Sequence, residues 1–282
     1  MEKGRIGLET WRFINTDYND GFYNMAVDEA ILNSVIEGKS PPAIRFYKWN
    51  PPAVTLGYFQ RADREIDQEL CHAKGIQVVR RLTGGRAILH DKELTYSIAI
   101  SEKEKQVSGS IIESYLKISR ALVKGLGGFG IEVEMMARPC KEKGSAACFD
   151  APSWHEIVWQ GRKLVGSAQT RKHGCLLQHG SIPMALDVEL LFSLLKISNN
   201  QAKQRLKENF RKKAVSLEEI LGKEIDCWDL AKALAEGFSQ TFNIHVRWDA
   251  LTREEEVNAI TLRETKYSQS TWNNGTTNIP RP

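Results

Sequence analysis

No stretch of the 282-residue sequence approaches the roughly 18 consecutive apolar residues of a membrane span. The opening MEKGRIGLETWRF is charged from its second residue, so the apolar core of a signal peptide is missing as well. Cysteine is sparse and lacks a pairing pattern. The five, at 71, 140, 148, 175 and 227, form no C-x-x-C, and an odd number cannot all pair within one chain. Reduced thiols in a soluble cytoplasmic protein are the expectation. Cys140 and Cys148 stand eight positions apart with no H-x-x-x-H after them, which is not a zinc-knuckle spacing, so no metal is expected. Charge of one sign is also lacking. Lys+Arg 39 against Asp+Glu 35 leaves a formal +4 spread along the chain, without the basic stripe and stacking aromatics of a nucleic-acid surface. A mildly basic surface suits steering of an acidic protein partner. The densest basic run, RLKENFRKK at 205–213, reads as a solvated helix face. Nucleotide fingerprints are absent too: neither G-x-G-x-x-G nor a G-K-[ST] ending accompanies the paired glycines.

What is present is a mixture of helices and strands without a repeat. Residues 24–36 (NMAVDEAILNSVI) space Met25, Ala26, Ala30, Ile31 and Val35 as one face of a helix. Strands are expected at 43–49 and 53–59 across Asn50-Pro51-Pro52, and at 77–81 after a short helix that Gly75 closes. A longer helix, 111–126, ends in glycines. Further strands fall near 155–159, 162–167 and 175–182, and one at 244–248. Asp187 and Asp226 head helices, and Ser216-Leu-Glu-Glu219 and Thr252-Arg-Glu-Glu255 read as capping boxes. Strands in runs and hairpins, rather than strict β-α alternation, predict an α+β domain with a mixed or antiparallel sheet. The polar tail from about Ser268 is expected to fray.

Three patches carry possible chemistry. In VVRRLTGGRAILHDKELTYSI (78–98), Arg80, Arg81, Arg86, His90 and Asp91 bunch around Gly84-Gly85. Paired glycines let a backbone approach a ligand closely; an ordinary Gly-Gly hairpin with surface arginines is the alternative. In GSAACFDAP (144–152), Cys148 follows small residues and precedes a proline that no helix continues past, so a loop thiol is open to chemistry. Burial as filler is the alternative, and it is kept for Cys71 and Cys227 at helical apolar positions. In VWQGRKLVGSAQ (158–169), Gln160-Gly161 reads as a hairpin turn that puts Lys163 in the returning strand. Such a lysine either snorkels to water or is held where desolvation disfavours its charge.

The three patches resemble, in order and wording, a known family. RRLTGGRAILHD is similar to the R-R-x-x-G-G-x-A-x-x-H-D signature of the lipoate/biotin protein ligase superfamily, GRKLVGSAQ to its G-x-K-x-x-G-S-A segment, and KYSQSTWN (266–273) to the K-Y-x-x-x-x-W-N segment of lipoate ligases. ACFDAPSWHEI resembles the LipM-type octanoyltransferases, which carry a nucleophilic cysteine there. The resemblance implies one catalytic domain over 1–273, with mixed sheets flanked by helices, and a tail at 274–282. It implies transfer of an octanoyl group from acyl carrier protein through a Cys148 thioester to a lysine of a lipoyl domain, typically that of glycine cleavage system protein H. Neither ATP nor another cofactor is implied. Lys163 would assist the thiolate and move protons. Substrate-binding positions would fall at Arg80, Arg81, Gly84, Gly85, Arg86 and His90, and at Gly166, Ser167 and Ala168. Arg80, Arg81 and His90 would shape the mouth. A transferase acting between lipoyl domains and an ATP-dependent lipoate ligase are the rivals.

Overall fold

Strand alternation writes the central sheet. In β6 (Glu93–Ser101), Leu94, Tyr96, Ile98 and Ile100 join one hydrophobic cluster while Ala99 joins another on the opposite side, as the two-residue period of a strand requires. The computed structural model describes residues 8–136, 156–197 and 199–275. Among these the larger sheet runs in the order β11 (His245–Asp249), β1 (Thr10–Asn19), β2 (Ala43–Trp49), β6, β10 (Cys175–Pro183), β9 (Arg162–Lys172), β8 (Ile157–Trp159) and β7 (Glu134–Met135). β1 lies parallel to both its neighbours and the remaining pairs are antiparallel. A smaller sheet sets β3 (Ala53–Leu56) between β4 (Gln77–Arg80) and β5 (Ile88–His90).

Helices cover both faces. α1 (Gly21–Ile36) and α9 (Arg253–Leu262) bury one cluster against the larger sheet. α4 (Ile111–Gly128) and α8 (Cys227–Phe242) bury another on its far side. The smaller sheet packs with α3 (Gln68–Ala73), α5 (Val188–Leu194) and α6 (Asn200–Lys213), while α2 (Ala62–Glu65), α7 (Leu217–Leu221) and α10 (Ser270–Asn273) are short. The α+β class and mixed sheets match the sequence reading. Among the described residues no helix is long and apolar enough to cross a membrane.

Several local expectations hold at the level of single bonds. Asp187 accepts from Leu190 N, Asp226 from Trp228 N and Asp229 N, and Thr252 and Glu255 form a reciprocal capping box. Others are corrected. Ser216 makes no side-chain cap; the approach to α7 is held instead by Val215 N donating to Lys163 O at 3.0 Å. The helix expected over 111–126 does end in glycines, at Gly128, while Gly125 within it serves packing. A Cβ there would lie 2.6 Å from Leu234 Cα, and one on Gly237 would lie 2.4 Å from Gly125 N, so bare backbone lets α4 and α8 cross in contact. The basic run is not wholly a solvated face: Lys207 and Phe210 are buried, and Lys207 and Arg211 both pair with Glu189.

The largest correction is the tail. Instead of fraying from Ser268, the chain docks onto the paired-glycine region through Arg80. Arg80 N donates to Asn273 Oδ1 at 2.8 Å, its Nε to Trp272 O at 2.9 Å and its Nη2 to Asn273 O at 2.9 Å, while Trp272 Nε1 donates back to Arg80 O. Lys266 Nζ and the Tyr267 hydroxyl both donate to Glu29 Oε2. A polar composition concealed a segment that Lys266, Tyr267, Trp272 and Asn273 tie to Glu29 and Arg80. Cys140, Cys148 and the tail at 276–282 lie outside the described residues.

Candidate functional site

The two sheets enclose a cavity of about 410 Å³, open space at its mouth included. Met25, Tyr47, Trp49 and Ile88 supply apolar wall; Gly85 borders one side, and Gly166, Ser167 and Ala168 the other. Two motifs 81 positions apart in sequence, counted from Gly85 to Gly166, therefore border one space. Arg81 and His90 also line it, as interior residues rather than at a mouth.

The glycine loop is not the hairpin that sequence allowed. β4 and β5 do not pair with each other; both flank β3, parallel and antiparallel respectively. The loop between them crosses the end of β3 at Gly57. A Cβ on Gly57 would fall 2.0 Å from Gly85 O, so only glycine permits this crossing, and Gly85 itself sits at φ +95°. Arg81 holds the loop from inside. Its Nη2 donates to Gly84 O and Arg86 O at 2.8 Å, its Nη1 to Thr55 Oγ1 at 3.0 Å and Thr55 O at 3.2 Å, and its Nε to Thr83 Oγ1 at 3.2 Å. Every N–H of that fork meets a protein acceptor, which makes Arg81 a positioning residue. Arg80 lies fully buried outside the cavity lining, with Nη1 donating to Gly57 O and Tyr58 O. Gly84 and Arg86 also fall outside the lining. Arg86 Nη1 is buried with no hydrogen-bond partner among the described residues.

From Arg81 two polar chains run through the cavity wall. One passes from Thr83 to His179 Nε2 at 2.7 Å, and from His179 Nδ1 to Asp28 Oδ2 at 3.1 Å. Asp28 also accepts from Arg45, Tyr47 and Ser97. Burial works against the Asp28 carboxylate, but the His179 hydrogen bond and the Arg45 guanidinium outweigh it and hold the carboxyl below its ordinary range. Burial prevails at His179 and keeps its imidazole below the ordinary value. A neutral ring beside an ionised Asp28 must donate from Nδ1 and accept at Nε2 from the Thr83 hydroxyl. The other chain passes from Thr55 to His90 Nε2 at 2.8 Å and from His90 Nδ1 to Glu93 Oε1 at 2.7 Å. Thr95 and Ser181 also donate to Glu93. Burial opposes the Glu93 charge, and the His90 ring with the two hydroxyls overcomes it, leaving the carboxyl lowered. His90 stacks on Trp49, with ring centroids 4.1 Å apart.

These partners were missed in the sequence. Glu93, Thr95 and Ser97 alternate along β6, and His179 and Ser181 along β10, a pattern that reads as a solvent face; all five are at most 6% exposed because a second layer covers them. Asp28, in the middle of the apolar run MAVDEAI, was the one available signal.

Lys163 reaches its place through a bulge. The Gln160-Gly161 turn has φ +48° and +76°, the paired positive values of a two-residue type I′ hairpin. Ile157 pairs with Val165 and Val158 with Lys163, so Leu164 is skipped. Cross-strand partners share a face, and the extra residue therefore puts Lys163 opposite to Val165, on the face of Gly166 and Ala168. The lysine does not snorkel: it is 5% exposed, and its Nζ lies 2.5 Å from Oε1 of Glu156, itself buried. Lys163 is not among the cavity-lining residues. Ser167 faces Tyr96, with 2.7 Å between hydroxyl oxygens.

Cysteines other than Cys140 and Cys148 offer no activated thiol. Burial raises Cys71 to about 11, and raises Cys175 and Cys227 above the ordinary thiol value.

Comparison with known proteins gives this geometry a context. The lipoyl protein ligase A/B catalytic domain model matches residues 20–239. The octanoyltransferase LipM of Geobacillus kaustophilus is 44% identical over 275 residues, covering 95% of this chain and 99% of that protein. Among solved structures, a bipartite lipoate protein ligase of Thermoplasma acidophilum superposes with a TM-score of 0.79 at 27% identity, over 97% of this chain and 99% of that one. A lipoate-protein ligase A bound with ATP gives 0.76 at 27% identity, over 95% and 99%.

Proposed function

Because the chain belongs to the lipoyl protein ligase A/B catalytic-domain family, and within it to the LipM octanoyltransferases, acyltransferases of protein lipoylation, we propose that it moves an octanoyl group from octanoyl-acyl carrier protein through Cys148 to a lipoyl-domain lysine. The observation that carries this reading is the cavity itself. Met25, Tyr47, Trp49 and Ile88 give it apolar wall beside the polar chains, Gly85 and the Gly166–Ser167–Ala168 strand border it, and Lys163 stands on the sheet face of Gly166 and Ala168. About six buried methylenes contribute roughly 5 kcal/mol at ~0.8 each, enough to position a thioester.

The Cys148 thiolate attacks the carbonyl carbon, and backbone N–H groups near Gly84–Gly85 or Gly166–Ser167 hold the oxyanion. The bond to the carrier sulfur breaks, and the carrier leaves as a thiol with the proton that Lys163 had taken from the Cys148 thiol, which returns Lys163 to the amine. The acceptor lysine amine then attacks the Cys148 thioester, Lys163 takes its proton, and the cysteine leaves as thiolate. The first exchange is thioester for thioester and nearly isoenergetic; the second makes an amide and runs downhill. Neither step needs adenylation. The mildly basic surface suits acidic carriers, and the lipoyl domain of glycine cleavage system protein H in the cytoplasm is the proposed acceptor.

The ATP-bound structure of a relative at 27% identity favours a rival, an ATP-dependent ligase. The two separate cleanly. Octanoyl-acyl carrier protein and H protein, mixed with the enzyme and no nucleotide, should yield octanoylated H protein by mass; octanoate with ATP should not. Transfer that requires ATP and releases AMP would install the ligase instead.

The glycine loop offers a second measurement. Gly57→Ala puts a methyl group 2.0 Å from Gly85 O and must push the loop off its position, so transfer is expected to fall more than about ten-fold, as misplaced catalytic geometry does. Gly84→Ala meets nothing within 4 Å and should have much the smaller effect. Equal rates in both variants, each shown folded by its melting curve, would remove the loop from the active geometry.

A further inference from the structure

A second cavity, of about 510 Å³ with its open mouth, adjoins the first, and the two share Ile88 and Ser181 as lining, with Glu93 facing the second. Beyond that common wall the second cavity is lined by apolar Leu186, Leu191 and Phe210, with the charged residues Asp91, Lys92 and Asp187 also on its border. The polar part of the wall is fixed. Ser181 Oγ donates to Glu93 Oε2 at 2.5 Å, and Glu93 is held in turn by Thr95 and His90. Opening it would leave a buried carboxylate short of partners, which is costly. Ile88 is different. Its side chain is half-buried in β5 and has no polar atom to satisfy.

We infer that Ile88 is the partition that ends the acyl pocket and sets its chain-length limit, with the cavity of Leu186, Leu191 and Phe210 a latent extension for longer hydrocarbon. The inference rests on reading the first cavity as the acyl site. A chain longer than the pocket meets the Ile88 side chain; without it, additional methylenes pass along Leu186, Leu191 and Phe210.

The test uses the whole enzyme with equal mixtures of hexanoyl-, octanoyl-, decanoyl- and dodecanoyl-acyl carrier protein, reading the acyl masses captured on the protein. Each newly buried methylene is worth about four-fold, so Ile88→Ala should raise the decanoyl-to-octanoyl ratio by roughly 15-fold. Leu191→Phe added to Ile88→Ala fills the space beyond the wall and should pull the ratio back toward that of the parent. Ile88→Phe tests the partition from the near side, by thickening it, and should shift capture toward hexanoyl even where the alanine variant proves too unstable to isolate. An unchanged chain-length profile in the folded variants overturns the partition. Absence of any acyl mass on the parent enzyme instead overturns the acyl-site reading on which it depends.

Discussion

Cys148→Ala is expected to abolish the octanoyl mass that the parent enzyme gains from octanoyl-acyl carrier protein, with no residual adduct, whereas Cys140→Ala and Cys175→Ala should keep it. The parent adduct should be a thioester and come off with hydroxylamine. The reasoning is one of thiolate supply, since the thiolate is the nucleophile. Cys71, raised by burial to about 11, has a negligible thiolate fraction at neutral pH, and burial disfavours the Cys175 and Cys227 thiolates in the same direction. Peptide mapping of the parent adduct decides the matter independently of any variant. An adduct on Cys140 or Cys175 would move the site while leaving the thioester chemistry standing. An enzyme that transfers octanoyl normally as Cys148→Ala would have no covalent step at this residue.

The residues whose chemistry is local in the chain were readable before the fold was known. Asp226 and Thr252 cap helices through bonds to residues two or three positions on, and the Gln160-Gly161 turn closes a hairpin within four residues. What stayed hidden depends on separation. Asp28 and His179 are 151 positions apart, and Thr83 and His179 are 96 apart, so nothing in local pattern joins them. Period-two alternation identifies the faces of β6 but not whether the polar face meets water or a second layer, so it carries no sign that Glu93 and Thr95 are buried. The glycine loop misled for a related reason. Two strands joined by a short loop look like a hairpin, yet β3, arriving from earlier in the chain, sits between them. Lys163 is the sharpest case: alternation counted from Val165 assigns it to the wrong face, and the bulge at Leu164 reverses that assignment.

Lys163 has two proposed jobs, and replacing it by Arg and by Ala separates them. Arginine keeps a positive charge beside Glu156 and so retains whatever the charge does for the Cys148 thiolate, but guanidinium cannot release a proton at working pH and is useless as a base. Alanine removes both. It also takes the ion-pair partner from a buried Glu156 carboxylate, a change that costs about 3–5 kcal/mol where a buried pair is broken, so its melting curve is measured alongside activity. Transfer to the lipoyl domain should fall by about 100-fold or more in both variants, within the 10²–10⁴ that a positioned base contributes. Alkylation of Cys148 by iodoacetamide at neutral pH should divide them: slowed clearly in Lys163→Ala, where the thiol returns toward about 8.5, and slowed less in Lys163→Arg. Transfer at the parent rate in the arginine variant would exclude proton relay and leave only the charge. If both folded variants alkylate and transfer like the parent, Lys163 with Glu156 is a structural pair, and the proton acceptor must be sought elsewhere.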